Sequence, residues 1–242
     1  STVALTADVT FRKGTEVALK HIVDEALAAA PSAVEAVVVL ERGSVGSRLE
    51  RPRDLTWTEF LARGAGQSNG YTVMEANEPA FILATSGTTA KPKLAVHTHG
   101  GYRVHINAMG RWVFGLSADD VWWSTSDIGW VVGHSYIIYG PLIAGMTTIM
   151  YEGLPTRPDP GVWWSIVEKY KVTHMFSAPT AVRVLKKHDA SWLKKYDVST
   201  LKALWLAGEP LDEPTAQWIS DALSVPIIDN YWQTETGWPI LT

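Results

Sequence analysis

The chain has 242 residues, 46% of them hydrophobic and 19% charged, with a formal net charge of -4. That balance belongs to a globular protein with a sizeable core, and it gives no electrostatic footing for nucleic acid or an anionic membrane surface. Cysteine is absent, which excludes disulfides, thiolate metal sites and cysteine nucleophiles and fits a cytoplasmic origin.

No basic segment followed by an apolar one opens the chain, so no secretory signal is read. An amphipathic stretch predicts a helix over 17–30, followed by a strand over 34–40 and a polar connection over 41–55. Thr56-Trp57-Thr58-Glu59 has capping-box spacing and predicts a short helix, and Pro and Asn mark 64–79 as a loop. From Ala80 onward β-branched runs alternate with amphipathic stretches. Strands are expected at 80–84, 121–124, 147–151, 174–177, 203–207 and 225–229. Helices are expected at 101–114, 133–143, 162–170 and 180–187, and a last one opened by Asp212 with Pro214 in its first turn.

This rhythm predicts an α/β fold with a mostly parallel sheet flanked by helices. The most apolar region, 129–151, is interrupted by His134, Ser135, Gly140, Pro141 and Gly145. A membrane span needs about 20 mostly apolar residues in a row, so the region reads as buried core. Most of the 12 tryptophans are expected there too.

The segment Phe81-Ile82-Leu83-Ala84-Thr85-Ser86-Gly87-Thr88-Thr89-Ala90-Lys91-Pro92-Lys93 carries the strongest chemical signal. A strand runs into small and hydroxyl residues followed by two lysines. Small residues let backbone N–H groups approach a phosphate chain, hydroxyls donate to its oxygens, and lysines neutralise it. The segment is not a Walker loop, and composition alone leaves a plain surface loop equally open.

Thr85 to Lys93 resembles the phosphate-binding signature of the adenylate-forming superfamily, with departures at Ala90 and Leu94, where that family usually has glycine. Ser126-Asp127-Ile128-Gly129-Trp130-Val131-Val132-Gly133-His134-Ser135-Tyr136 is similar to the acyl-pocket motif of its short-chain acyl-CoA synthetase branch. Gly208-Glu209-Pro210 and Asp229-Asn230-Tyr231-Trp232-Gln233-Thr234-Glu235-Thr236-Gly237 resemble the adenine-binding turn and the signature after it, in the order the family requires.

The resemblance implies activation of a short carboxylic acid with ATP, Mg²⁺ and coenzyme A. ATP would be bound by Thr85, Ser86, Gly87, Thr88, Thr89, Lys91, Lys93, Gly208, Glu209, Pro210, Asp229, Asn230, Tyr231, Gln233 and Thr234. Tyr231 would stack on adenine, a core aromatic at a strand end being the alternative. Glu235 would hold the metal. Trp130, Val131, Val132, Ala207 and Trp232 would line the acyl pocket, with Ala207 and Trp232 favouring propionate over acetate. Arg12 and Ala178 would contact coenzyme A, a solvated arginine being at least as plain a reading of Arg12. His97 and His99 lack carboxylate or cysteine company, so no metal is assigned to them.

The resembled enzymes are longer at both ends, so the chain is expected to be an internal piece of their N-terminal domain. Residues 1–79 would be a remnant of a preceding subdomain and 80–242 the ATP- and acyl-binding subdomain. The family's adenylating lysine would lie beyond residue 242, so no catalytic residue is assigned. A piece of this kind is expected to self-associate and to be inactive alone. An inert nucleotide-binding module and a ligase for a larger acid are the alternatives.

Overall fold

The computed structural model describes residues 2–12, 14–29, 33–43, 46–85 and 91–242. They fall into two compact units, Ser1–Thr72 and Val73–Thr242.

The first unit runs β1 (Val3–Ala7), β2 (Val9–Arg12), β3 (Thr15–Ala18), α1 (Leu19–Ala29), β4 (Ala36–Leu40), β5 (Asp54–Thr56) and α2 (Trp57–Gly64). Strands β1, β4 and β5 make a parallel sheet in that order, and β2 and β3 make an antiparallel hairpin. The hairpin takes the residues expected to begin the first helix. Gly14, at φ 83°, turns the chain, and Val17 pairs with Thr10, so α1 starts only at Leu19. The capping box forms as the spacing predicts. Glu59 N–H donates to Thr56 Oγ1 at 3.1 Å, and Thr56 N–H donates to Glu59 Oε2 at 2.8 Å.

The second unit opens on an antiparallel hairpin, β6 (Pro79–Thr85) with β7 (Lys93–Thr98), and on α3 (His99–Trp112). Its main sheet comprises β8 (Val121–Ser124), β9 (Thr147–Ile149), β10 (His174–Ser177), β11 (Ala203–Ala207), β12 (Ile227–Trp232) and β13 (Pro239–Leu241). The strand order is β13-β12-β11-β10-β8-β9, every neighbouring pair being parallel except β12 with β13.

The two-residue period of the strands sorts their side chains onto two faces. The helices after α3 are α4 (Val131–Gly133), α5 (Gly140–Ala144), α6 (Val162–Tyr170), α7 (Pro179–Lys186), α8 (Ser191–Lys194) and α9 (Glu213–Leu223). Trp123, Met175, Leu204 and Leu206 bury one face with α6, α7 and α9. Trp122, Phe176, Trp205 and Ala207 bury the other with Tyr102 and Ile106 of α3 and with Tyr136.

The helix expected over 133–143 spans 131–144 and forms in three parts. A single turn, Val131–Gly133, is followed by a π-helix, His134–Tyr139, and by Gly140–Ala144. Tyr136 leaves helical geometry inside it, at φ -132° and ψ 19°. Trp122 Nε1 donates to the Tyr136 carbonyl and Thr148 Oγ1 to that of Ile137, so the irregular turn has no stranded acceptor at those points. The region is not wholly core. Ser135, Tyr136 and Ile137 are buried, while Trp130, Leu142 and Met150 are exposed. The tryptophans divide likewise. Trp122, Trp123, Trp163, Trp164 and Trp205 are buried and Trp218 and Trp232 pack against the core clusters, as expected of most of them, while Trp57, Trp112 and Trp130 are exposed.

At the N-terminal ends of the strands Asp120 is buried and fully engaged. It accepts from Lys202 Nζ at 2.6 Å, from Ser117 N–H and Oγ at 2.9 Å each, and from Thr173 Oγ1 at 3.0 Å. Burial works against its charge, but the bonds from Lys202, Ser117 and Thr173 outweigh it and hold the carboxyl well below the usual range.

Candidate functional site

In an open parallel sheet, ligands sit beyond the C-terminal strand ends where the connections reverse direction. Here β9 and β10 lie on opposite sides of β8, so the reversal falls between β8 and β10. Thr125 Oγ1 donates to Ser177 Oγ across it at 2.8 Å. The C-terminal ends of β8, β10, β11 and β12 and the segments after them, which together hold most of the sequence-predicted site, therefore share one edge of one sheet.

Gly208, Glu209, Pro210, Asp229, Asn230, Tyr231 and Trp232 line a single cleft of ≈ 500 Å³ with Leu241 and Thr242. Gly208 makes the exit from β11 at φ 101°, a backbone that favours glycine. The Glu209 carboxylate turns to α7. It accepts from Thr180 N–H at 2.7 Å, from the Thr180 hydroxyl, and from Arg183 Nη1 at 2.9 Å. The Thr180 hydroxyl, helped by that N–H and by Arg183, lowers the Glu209 pKa. Arg183 also donates from Nε to Asp212 at 2.7 Å and from Nη2 to the Pro210 carbonyl at 2.8 Å. Glu209 thus holds in shape the turn that lines the cleft.

Asn230 is 5% exposed. Its Nδ2 donates to the Leu206 carbonyl at 2.8 Å, while its Oδ1 meets no donor among the described residues. A buried acceptor without a partner is a disfavoured arrangement that a ligand donor relieves. Tyr231 is exposed on the cleft, not buried in the core, and its hydroxyl accepts from Gln233 Nε2 at 2.7 Å.

Beyond β12 the chain turns through 233–237, closed by Thr236 N–H and Gly237 N–H donating to the Gln233 carbonyl at 3.2 and 3.0 Å. His97 Nε2 reaches the Thr234 carbonyl at 2.8 Å, and Ser135 Oγ donates to that of Gly237 at 2.6 Å. Glu235 is exposed and makes no hydrogen bond or ion pair with the described residues. No group of three or more histidine, aspartate and glutamate side chains among those residues could cage a metal alone. One free carboxylate fits magnesium that arrives on phosphates and keeps its waters, and does not fit a protein-only metal site.

Of the acyl-pocket candidates, Ala207, Val132 and Trp232 join one apolar cluster. Trp232 meets Tyr136 at 5.8 Å and Phe176 at 5.9 Å, edge to face. Val131 is buried outside that cluster, and Trp130 is 67% exposed.

The phosphate-loop strand departs from the expected setting. β6 is half of a hairpin, not a member of the parallel sheet, and Thr85 pairs with Lys93 at the hairpin's end. Ser86, Gly87, Thr88, Thr89 and Ala90 lie outside the described residues. Lys91 and Lys93 are exposed. Leu94, where glycine was expected, pairs with Ala84 and is 66% exposed, so an ordinary strand residue satisfies the backbone there.

Ala178 precedes α7 in extended conformation. Arg12 lies in the first unit, exposed and opposite Thr15. Arg183 and Tyr102 were not singled out from sequence, His97 was set aside only as a metal ligand, and Ser135 stood inside the acyl-pocket motif without a role of its own. Their partners lie between 26 and 137 positions away, so no local pattern pairs them.

No helix of the described residues is long and apolar enough to cross a membrane. The family model of AMP-binding enzymes matches residues 2–242. The chain is 51% identical over 237 residues to the propionate–CoA ligase of Salmonella typhimurium and 50% identical over 237 residues to that of Escherichia coli. In both comparisons 98% of this chain and 38% of the relative are covered. It is 44% identical over 236 residues to the acetyl-coenzyme A synthetase of Methanothrix soehngenii, covering 96% of the chain and 35% of that enzyme. The chain thus spans well under half the length of these relatives. With the motifs that follow β8, β11 and β12 on one sheet edge and the family pattern matched across almost its whole length, the chain belongs to the AMP-binding enzyme family.

Proposed function

We propose that the protein joins a short-chain carboxylic acid to coenzyme A through an acyl-adenylate, with propionate preferred to acetate. One observation carries the reading: the 208–210 turn and residues 229–232 converge on one cleft, and Asn230, which lines it, keeps a buried Oδ1 that meets no donor among the described residues. The amino group of adenine is a donor of the kind that oxygen lacks. Tyr231, exposed on the cleft, offers a face for the base.

In the first step a carboxylate oxygen attacks the α-phosphorus of ATP. A new acyl–oxygen–phosphorus linkage forms, the bond to the β-phosphoryl oxygen breaks, and pyrophosphate leaves with that electron pair. In the second step the thiol sulfur of coenzyme A attacks the acyl carbon, AMP leaves, and the thiol proton passes to solvent. Such chemistry asks the protein mainly for position and charge. The 208–210 turn and Asn230 orient the nucleotide, and Lys91, Lys93, Thr234 and the hydroxyls of 85–89 meet the phosphates. Val132, Ala207 and Trp232 bound the acyl chain. Ala178 meets coenzyme A. Bound magnesium would neutralise phosphate charge, with Glu235 as its protein ligand.

Isothermal titration of the full-length protein with AMP, and of Asn230→Leu, tests the cleft. The variant is expected to weaken AMP binding about tenfold, the effect of losing one well-placed polar contact of about 1.4 kcal/mol. Unchanged affinity would remove the cleft from the nucleotide site. Pyrophosphate exchange dependent on propionate or acetate tests the chemistry, and its absence at saturating nucleotide would leave only a binding module.

A further inference from the structure

We propose that His97 is a positioning residue for the turn that presents Thr234 and Glu235, with Ser135 its counterpart at the turn's other end. The inference rests on the reading of Glu235 as the magnesium ligand. His97 is 5% exposed in β7, four residues after Lys93, and its Nε2 lies 2.8 Å from the Thr234 carbonyl oxygen. A carbonyl only accepts, so Nε2 carries the proton. Ser135 Oγ spends its own proton on the Gly237 carbonyl at 2.6 Å, so the Tyr102 hydroxyl donates to Ser135 at 2.7 Å.

The Thr234 carbonyl belongs to the same planar peptide unit as the Glu235 N–H. Fixing that oxygen fixes the direction from which Glu235 leaves the backbone, before any metal arrives. The imidazole is itself held. Its ring stacks on Phe81 with centroids 4.8 Å apart and planes 24° apart, and meets Tyr102 at 5.3 Å. The turn fits closely around it. Gly237 has φ 76°, and a Cβ there would stand 3.1 Å from Tyr102 Cε2 and 3.2 Å from His97 Cε1.

A ligand pre-set by buried partners loses less freedom on binding than one on a free loop, and changing such partners typically weakens a metal site about 10- to 100-fold. β7 is also the strand by which the phosphate-loop segment returns. One strand therefore carries both the end of that segment and the pin for the proposed metal turn.

The test uses the full-length protein and two complementary variants. His97→Phe keeps the stacked ring and removes the donor; His97→Gln keeps a donor and removes the ring. ATP affinity with and without Mg²⁺ is measured by calorimetry, with AMP without metal as control and Glu235→Gln as benchmark. Expected is a loss of most of the Mg²⁺ enhancement in His97→Phe, about tenfold or more, its retention in His97→Gln, and unchanged AMP affinity in both. A wild-type Mg²⁺ enhancement in His97→Phe, or equal loss of AMP and ATP binding, would overturn the proposal. Should His97→Phe fail to fold, Ser135→Ala releases the other carbonyl, and an unchanged Mg²⁺ enhancement there overturns it equally. A Glu235→Gln variant with full Mg²⁺ enhancement would instead defeat the underlying reading of Glu235.

Discussion

Arg183 meets Glu209 at 2.9 Å, and the same guanidinium reaches Asp212 at 2.7 Å and the Pro210 carbonyl at 2.8 Å. One side chain on α7 therefore holds three points of the turn that floors the cleft. Because the fork is planar and rigid, lysine cannot reproduce it. Arg183→Ala is expected to weaken AMP binding a few-fold, the scale of a solvent-accessible ion pair, with Arg183→Lys restoring only part. Asp212, held by Thr215 first and then by Arg183, has its pKa lowered from 3.8 to about 2. Since the folded value lies below the unfolded one, this clamp contributes fully above about pH 4 and is lost as pH falls toward about 2. Calorimetry with AMP at neutral pH and acid melting curves of both variants check the two statements.

Chain length is the second expectation. Ala207 and Trp232 share an apolar cluster with Phe176 and Tyr136. Ala207→Val should fill about one methylene of space and shift preference from propionate toward acetate. One methylene is worth ~0.8 kcal/mol, so the shift is several-fold. Trp232→Gly should admit hexanoate. Specificity constants for the three acids in the full-length protein measure both, and a Val variant that keeps the propionate preference would count against the pocket.

The third concerns stability far from the cleft. Asp120→Ala takes the acceptor from the exposed Ser117 and the half-buried Thr173 and should cost about 1 kcal/mol. Lys202→Met removes a partner that is mostly exposed and should cost under about 1 kcal/mol. Asp120 has its folded pKa depressed, so its contribution is complete above about pH 4 and fades on further acidification. Chemical denaturation at two pH values measures this, with nucleotide affinity expected to stay constant.

Sequence made the parallel sheet and the 208–210 turn legible because both are written locally. Runs such as Ala203-Leu204-Trp205-Leu206-Ala207 read as buried strands, and Gly208-Glu209-Pro210 stands directly behind one. β12 was expected to end at Asp229 but continues to Trp232, because β13 folds back to pair with Tyr231 and Trp232, a partner that no local pattern announces. The same holds for β1, whose pairing with β4 joins residues 33 positions apart. β7 was hidden by Lys93 at its start and Lys91 just before it. The supports of the site, Arg183 and His97, were invisible for a related reason: each is an unremarkable residue until the fold brings its acceptor to it.

The borders of the six-stranded sheet have a consequence for handling the protein. β9 and β13 are each three residues long, and Pro239 in β13 has no N–H to offer. Such borders are poor templates for an incoming chain. The β6–β7 hairpin is different: it forms a two-stranded sheet of its own, with Ile82, Leu94 and Val96 exposed along it. Fibrillar assembly, if the protein is driven to it, should therefore nucleate at residues 79–98 rather than at the main sheet, and a charge placed at Val96 should delay it.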